Sequence, residues 1–183
     1  MLTVNAALGD RDFELAGQWD VMPDAPPPEE CPVANHPFRV ENSIVSRFEE
    51  RPVRMRSMRT MEGLSDDGRT IMWARIPDVI EGVDAATLGI LGDFVPLGVS
   101  QALGVIGGGT SLDNTLRLVK LVPTEWVLLD IKIHAIHRGF GHGLVNMFAQ
   151  DGTLMATASQ SCVVRTWTGD VPPSRQPRTP RQP

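Results

Sequence analysis

Cysteine is scarce in this chain: two in 183 residues, Cys31 and Cys162, far apart and without a Cys-x-x-Cys pair. That spacing reads as two free thiols in a reducing compartment, with one long-range disulfide as the alternative. An excess of positive charge is also missing. The formal net charge is −5 and the pI is about 5.3, so no basic face for a nucleic acid is expected. No apolar run approaches the roughly 20 residues of a membrane span. The N-terminus lacks the charged, apolar, then small-residue order of a signal peptide. These absences predict a soluble cytoplasmic protein that works on neither nucleic acid nor membrane. What is present is a 42% apolar content, enough for one core, and a length that suits one main domain with tails.

The stretch that organises the chain is residues 84–103, DAATLGILGDFVPLGVSQAL. It reads as one long, mostly apolar helix. Asp84 is placed to cap it, its carboxylate accepting from a backbone N–H of the first turn. Leu88, Leu91, Val95 and Val99 recur at spacings of three and four and share a face. Ile90, Phe94, Leu97 and Leu103 make most of the remaining circumference apolar, which predicts a helix wrapped by other structure. Asp93 stands in the middle of it, a carboxylate whose burial would be costly without partners. Pro96 removes a backbone N–H and predicts a bend. Gly104, Gly107, Gly108 and Gly109 follow as the stop.

Around this helix the signals are mostly of strands. Residues 2–8 alternate like a strand. Residues 23–37, with PDAPPPEECP at their heart, form a Pro-rich linker of polyproline character. Residues 40–48 are a candidate strand, and 51–61 an edge strand or an exposed loop. SDDG at 65–68 is a turn, with a strand at 70–76 after it. Beyond the helix come strand signals at 111–122, 125–136, 143–149 and 154–166, joined by short connections at 123–124, 138–142 and 150–152. Such a meander makes an antiparallel sheet. Residues 169–183 are Pro- and Arg-rich and read as a disordered tail. Strands, one buried helix, then four more strands give an α+β layout with one sheet curled round one helix. Such a unit exposes an edge and an apolar flank, so a homodimer or larger homo-oligomer is expected.

Three segments carry a family resemblance: LGDF at 91–94, TSLDNTLRLVKLVPTEWVLLD at 110–130, and QDG followed by LMATASQSCVVR, ending at 165. In that order and spacing they resemble the acyl-CoA thioesterase II family, double-hotdog thioesterases. The resemblance covers roughly residues 23–167 and implies a hotdog domain at 38–168 after the 23–37 linker. Residues 1–22 would then be a remnant ending of a preceding hotdog, and the chain would match the C-terminal half of the family. By position the resemblance assigns the family's catalytic trio to Asp93, Ser111 and Gln160. It implies an acyl-CoA substrate and no cofactor or metal. Two departures stand beside the trio: Asn114 where the family has His, and Ser161-Cys162 where it has Glu-Gly.

The chemistry this implies is direct. A thioester is already activated, so hydrolysis needs a positioned water, a group that orients or deprotonates it, and donors for the oxyanion. The trio would hold that water, with a backbone N–H near Asp93 polarising the carbonyl. Blander roles are open for each residue. Asp93 could be a satisfied structural carboxylate, Ser111 a cap for the Gly-rich loop, with Thr110 beside it as the alternative hydroxyl, and Gln160 an ordinary strand residue. Asp113 reads as a residue that holds the loop. His134, His137 and His142 fit no common zinc spacing, and strict alternation would place His134 and His137 on opposite faces of a strand. GFGHG at 139–143 lies in a strand connection with no following helix, against a phosphate cradle. Trp73 and Trp126 read as core. Arg51, Arg54, Arg56 and Arg59 form either a solvated edge or a contact for coenzyme A phosphates. The rival to an enzyme is a non-catalytic acyl-binding or structural hotdog. A hotdog dehydratase would need a His or Glu in the helix region, and no His lies there.

Overall fold

The structure, a computed structural model, describes residues 4–9, 11–12, 14–34, 43–57, 60–78 and 82–166. The expected tail at 169–183 and Arg59 lie outside them. Among the described residues seven strands form one antiparallel sheet: β1 (Glu49–Arg54), β2 (Arg69–Arg75), β3 (Gly107–Ser111), β4 (Thr115–Leu118), β5 (Val127–His137), β6 (Phe140–Ala149) and β7 (Leu154–Thr166). Their order is β1-β2-β5-β6-β7-β3, and β4 also pairs with β7. The helical stretch crosses one face as two pieces, α1 (Ala85–Leu91) and α2 (Val95–Leu103), joined by a 3-10 turn, Gly92–Phe94. An α+β hotdog arrangement results, as the sequence implied.

The helix forms where its caps say it should. Asp84 accepts from the Thr87 backbone N–H at 2.7 Å and also from its hydroxyl. Gly104 ends α2 at φ 67°, and its N–H reaches Ser100 O. A Cβ there would meet the Gly63 carbonyl oxygen at 2.0 Å, so both conformation and space demand glycine. Leu88, Leu91, Val95 and Val99 are fully buried on the sheet, against Val127, Leu129, Ile131 and Ile133. By length and composition residues 85–103 would suffice for a membrane span, contrary to the sequence expectation. Here the run is kinked and packed on the sheet as a core helix.

Several expectations need correction. The helix is not wrapped on all sides: Ile90 is exposed, and Phe94 and Leu97 are only partly covered. Residues 4–8 form no strand, with Val4 and Leu8 exposed, because no described strand lies beside them to pair with; residues 2–3 lie outside the described set. In place of a strand at 40–48, Ile44–Arg47 is a 3-10 turn, and residues 40–42 are not described. Only Gly104 stops the helix; Gly107 to Gly109 enter β3. The expected strand at 111–122 is broken, since Ser111 ends β3 and β4 starts at Thr115. Its later apolar residues Leu118, Val119 and Leu121 stay exposed. The β5–β6 connection is a two-residue turn, Arg138-Gly139, with both φ values positive (48° and 79°), so GFGHG belongs largely to β6. A bulge between Ile133 and Ala135 shifts the alternation, so Ile133 and Ile136 both pack on the core and His134 and His137 are both exposed.

The Pro-rich segment is the largest surprise. Its composition keeps it out of the sheet, yet it packs as a strap over the face opposite the helix, with a 3-10 turn at Pro28–Glu30. Trp73, Trp126, Leu128, Phe148 and Cys31 make a second buried cluster there, joined by Met22 and Ala25. Trp73 Nε1 donates to Pro26 O at 2.9 Å, and Gln18 Oε1 accepts from Leu154 N at 2.7 Å. The two tryptophans are core, as read from the sequence.

Two arginines serve the same face. Arg51 and Arg75 both bind Glu49 and both stack over Trp126. Arg54 pairs with Asp67, and Arg56 donates to the carbonyls of Glu62, Gly63 and Gln101. The three described members of the cluster are therefore engaged within the fold. Burial of Glu49 raises its carboxyl pKa, but the bonds from Arg51 and Arg75 outweigh that and hold it below the usual range. A carboxyl depressed in the folded state stabilises above its unfolded pKa, and that contribution is lost as pH falls through the folded value. Glu49→Gln should therefore cost about 1–2 kcal/mol at pH 7. In urea titrations the difference should fade below pH 4.5, the ordinary value for this carboxyl. A pH-independent difference would contradict this account.

Candidate functional site

Asp93 sits at the break in the helix. A continuous helix would place the Pro96 ring against the Gly92 carbonyl, so α1 ends and a 3-10 turn carries Asp93 at φ −87°, ψ 18°. Gly92 beside it is buried, and a Cβ there would come within 3.1 Å of the Ala158 Cβ. Glycine thus lets the break press close to β7 and aims the Asp93 side chain past it. The carboxylate is exposed, not enclosed in an apolar rod as the sequence suggested.

The sheet brings the other two residues to it. Ser111 pairs with Cys162 across β3 and β7, and Gln160 lies two residues back along β7, on the same face. Ser111 Oγ donates to Asp93 Oδ1 at 3.1 Å. Gln160 Nε2 donates to Asp93 Oδ1 and, at 2.7 Å, to Ser111 Oγ. The three side chains form a closed triangle. Gln160 is buried, and its Oε1 has no partner among the described residues. Turning the amide over would set that oxygen against the carboxylate, so the observed orientation is the favourable one. The amide N–H groups are both engaged inside the triangle, and Asp93 Oδ2 is left as the acceptor facing solvent.

Thr110 is not an alternative in this arrangement: its Oγ1 accepts from Arg165 Nε at 2.9 Å. Asp113 Oδ1 accepts from the Ser161 backbone N–H at 2.7 Å and so pins the gap between β3 and β4 to β7, the loop-holding role read from sequence. Cys162 is buried behind the triangle. Desolvation raises its thiol pKa, against a weaker lowering by a backbone bond at Gly141, which leaves a thiol and not a thiolate nucleophile. Both cysteines are free and buried. Among the described residues no group of His, Cys, Asp and Glu is placed to hold a metal ion.

Asp93 and Ser111 open onto a cleft of about 1080 Å³ along the uncovered side of the helix. Ile90, Phe94 and Leu97 line it from the helix, Ile44 and Val45 from the 3-10 turn before β1, and Phe48 from the residue that joins the two. Phe48 and Phe94 meet edge to face at 5.2 Å. No basic side chain lines the cleft among the described residues. These walls were missed in the sequence, where Phe94 and Leu97 read as covered core and residues 44–48 as a strand. The 3-4 spacing of the apolar residues did mark which helix face meets the sheet, and Ile90 and Leu97 lie off that face.

The sequence profile of the acyl-CoA thioesterase C-terminal domain matches residues 28–164. This chain belongs to that family. No curated protein matches the sequence. Among solved structures, a candidate thioesterase from Novosphingobium aromaticivorans is 30% identical, with a TM-score of 0.70 over 88% of this chain and 60% of that one. A hotdog-fold protein from Alicyclobacillus acidocaldarius, of unknown function, is 21% identical, with TM-score 0.68 over 87% of this chain and 60% of that one. An acyl-CoA thioesterase II from Mycobacterium marinum is also 21% identical, with TM-score 0.60 over 87% and 61%. The last two show the fold alone. The chain spans about 60% of the length of these relatives.

Proposed function

We propose that this protein hydrolyses acyl-CoA thioesters to a free carboxylic acid and coenzyme A, by direct attack of a water on the thioester carbonyl. The observation that carries the reading is the triangle of Asp93, Ser111 and Gln160 at the mouth of an apolar cleft. Asp93 Oδ2 accepts a hydrogen bond from the water and takes its proton as the C–O bond forms. Ser111 and Gln160 hold the carboxylate by its other oxygen, so they position Asp93 and do not bind the water themselves. The developing oxyanion is stabilised by the N-terminal end of α2, whose positive dipole end lies just past Asp93. Collapse of the tetrahedral intermediate breaks the C–S bond, and the proton held by Asp93 passes to the leaving thiolate.

The apolar, partly acidic cleft suits the acyl arm; the nucleotide phosphates of coenzyme A would lie outside it. The β3–β4 edge and the exposed Leu112, Leu118 and Val119 beside it supply a surface for a second copy of the chain, giving a homodimer in the cytoplasm. Thiol release from a panel of acyl-CoAs, followed with a chromogenic thiol reagent, tests the reading. Release above the uncatalysed rate for at least one chain class supports it. Saturable binding with no release from any member would leave a non-catalytic acyl-binding domain instead.

A further inference from the structure

Gly89 is a glycine that its own helix does not need. It lies inside α1, where glycine is less favourable than alanine because its backbone loses more freedom on folding. Its φ is outside the left-handed region, so the backbone conformation does not demand it. Nor does packing: among the described residues a Cβ there would meet only Leu116 Cδ2, at 3.9 Å, an ordinary contact. Gly92 and Gly98 differ, since a Cβ on them would come within 3.1 Å of Ala158 and 2.6 Å of Ile131. What Gly89 does line is the cleft, together with Asp93 about one turn further on. A helical glycine that relieves no clash leaves room for something outside the chain.

The cleft has unlike sides about Asp93. On one, Phe94 packs on Phe48, and Ile44 and Val45 continue the apolar wall. Glu50, which also lines the cleft, is engaged within the fold. On the other side stand the exposed Ser111, Asp113 and Asn114, at the end of β3 and in the gap before β4. Gly89 belongs to this polar side, because the direction its Cβ would take leads to Leu116 of β4. An acyl-CoA thioester is divided in the same way. Its acyl chain is hydrocarbon, whereas its thiol arm turns polar at once, with a secondary amide a short link from the sulfur. The Asn114 side chain, which can both donate and accept, matches that amide, and the phenyl wall matches the chain. We infer that the cysteamine end of coenzyme A lies over Gly89 beside Asn114, with the acyl chain on the Phe48–Phe94 side. Gly89 is then a specificity-determining residue for the thiol arm. This division rests on the acyl-CoA reading of the cleft and adds where each arm lies.

Calorimetric binding of S-alkyl coenzyme A thioethers, which cannot be hydrolysed, tests this with methyl, butyl and octyl members. Gly89→Ala should weaken all of them by a similar factor, about tenfold, since the added methyl stands under the arm they share. The same substitution should raise the Tm by about 2 °C, because alanine suits a helix interior better. A glycine kept for packing would lower it instead. Phe94→Ala should show the opposite pattern, weakening the octyl member most and the methyl member least. Unchanged binding in Gly89→Ala overturns the inference. So does a penalty that grows with alkyl length, a lowered Tm, or a native protein that binds no member of the series. If the thioethers follow the expected pattern but no acyl-CoA releases thiol, the hydrolase reading falls and the two arms stay as placed. Thiol release by the native protein, with thioether binding unchanged in Gly89→Ala, would do the reverse.

Discussion

Asp93→Asn should lower turnover of the best acyl-CoA substrate by about 100-fold, within the range attributed to a positioned general base. The substitution is unusually clean here. The replacement amide would keep an oxygen where Oδ1 now accepts from Ser111 and Gln160. The triangle, and with it the packing of the helix break, should survive. What changes is the other atom: the acceptor facing the cleft becomes an N–H₂ donor, which can neither orient a water by accepting from it nor take its proton. The loss should therefore fall on kcat, with KM little altered and thermal stability kept, because the interaction removed belongs to the transition state. Ser111→Ala should cost less, about tenfold, since it removes a group that holds the carboxylate and not the group that meets the water. If Asp93→Asn retained turnover within threefold of the native protein while Ser111→Ala lost more, the division of roles would be reversed and the proposed mechanism wrong.

The second large effect concerns stability and lies on the opposite face of the sheet. Trp73→Ala should destabilise the protein by about 3–5 kcal/mol, the usual cost of deleting a buried large aromatic. Trp73 is 2% exposed and fills the space between the strap and the neighbouring residues of the sheet. Its indole N–H also holds the strap by its bond to Pro26 O. Losing both should free the Pro-rich segment as well as open a cavity. Urea unfolding gives the energy, and limited proteolysis gives the location, with new cleavage expected between residues 18 and 31. Trp73→Phe should keep most of the packing and lose mainly the hydrogen bond, about 1 kcal/mol. A Trp73→Ala protein that stayed within 1 kcal/mol of the native one, with its strap resistant to protease, would show that this segment contributes nothing to the domain.

The strap also shows where reading a sequence stops. Its prolines correctly kept it out of the ladder, since a residue with no N–H cannot donate to a neighbouring strand. Nothing local tells that a segment without regular structure lies on Trp73, Trp126 and Phe148, because those contacts join residues dozens of positions apart. The bulge at Ile133 and Ala135 is a similar case. Alternation predicts faces only while the count of residues stays even on both strands, and one inserted residue moved His137 to the side of His134.

Local chemistry sufficed wherever the cause is local. The Asp84 cap, the Gly104 stop, the buried stripe of Leu88, Leu91, Val95 and Val99, and the hairpin between β6 and β7 all follow from spacing, side-chain type or backbone freedom over a few residues. Asp93, Ser111 and Gln160 could be named in advance by their likeness to a family pattern. Their meeting could not be derived from composition, because it depends on the helix breaking at Pro96 and on β3 pairing with β7 in one register. Tertiary structure alone decided that the carboxylate is exposed, that Ser111 and not Thr110 touches it, and that Gln160 directs its amide at both. It alone opened the flank of Ile90, Phe94 and Leu97 into a cleft. The physical reason is the same in each case: periodicity records how apolar a face is, whereas which neighbour covers it depends on where distant strands end.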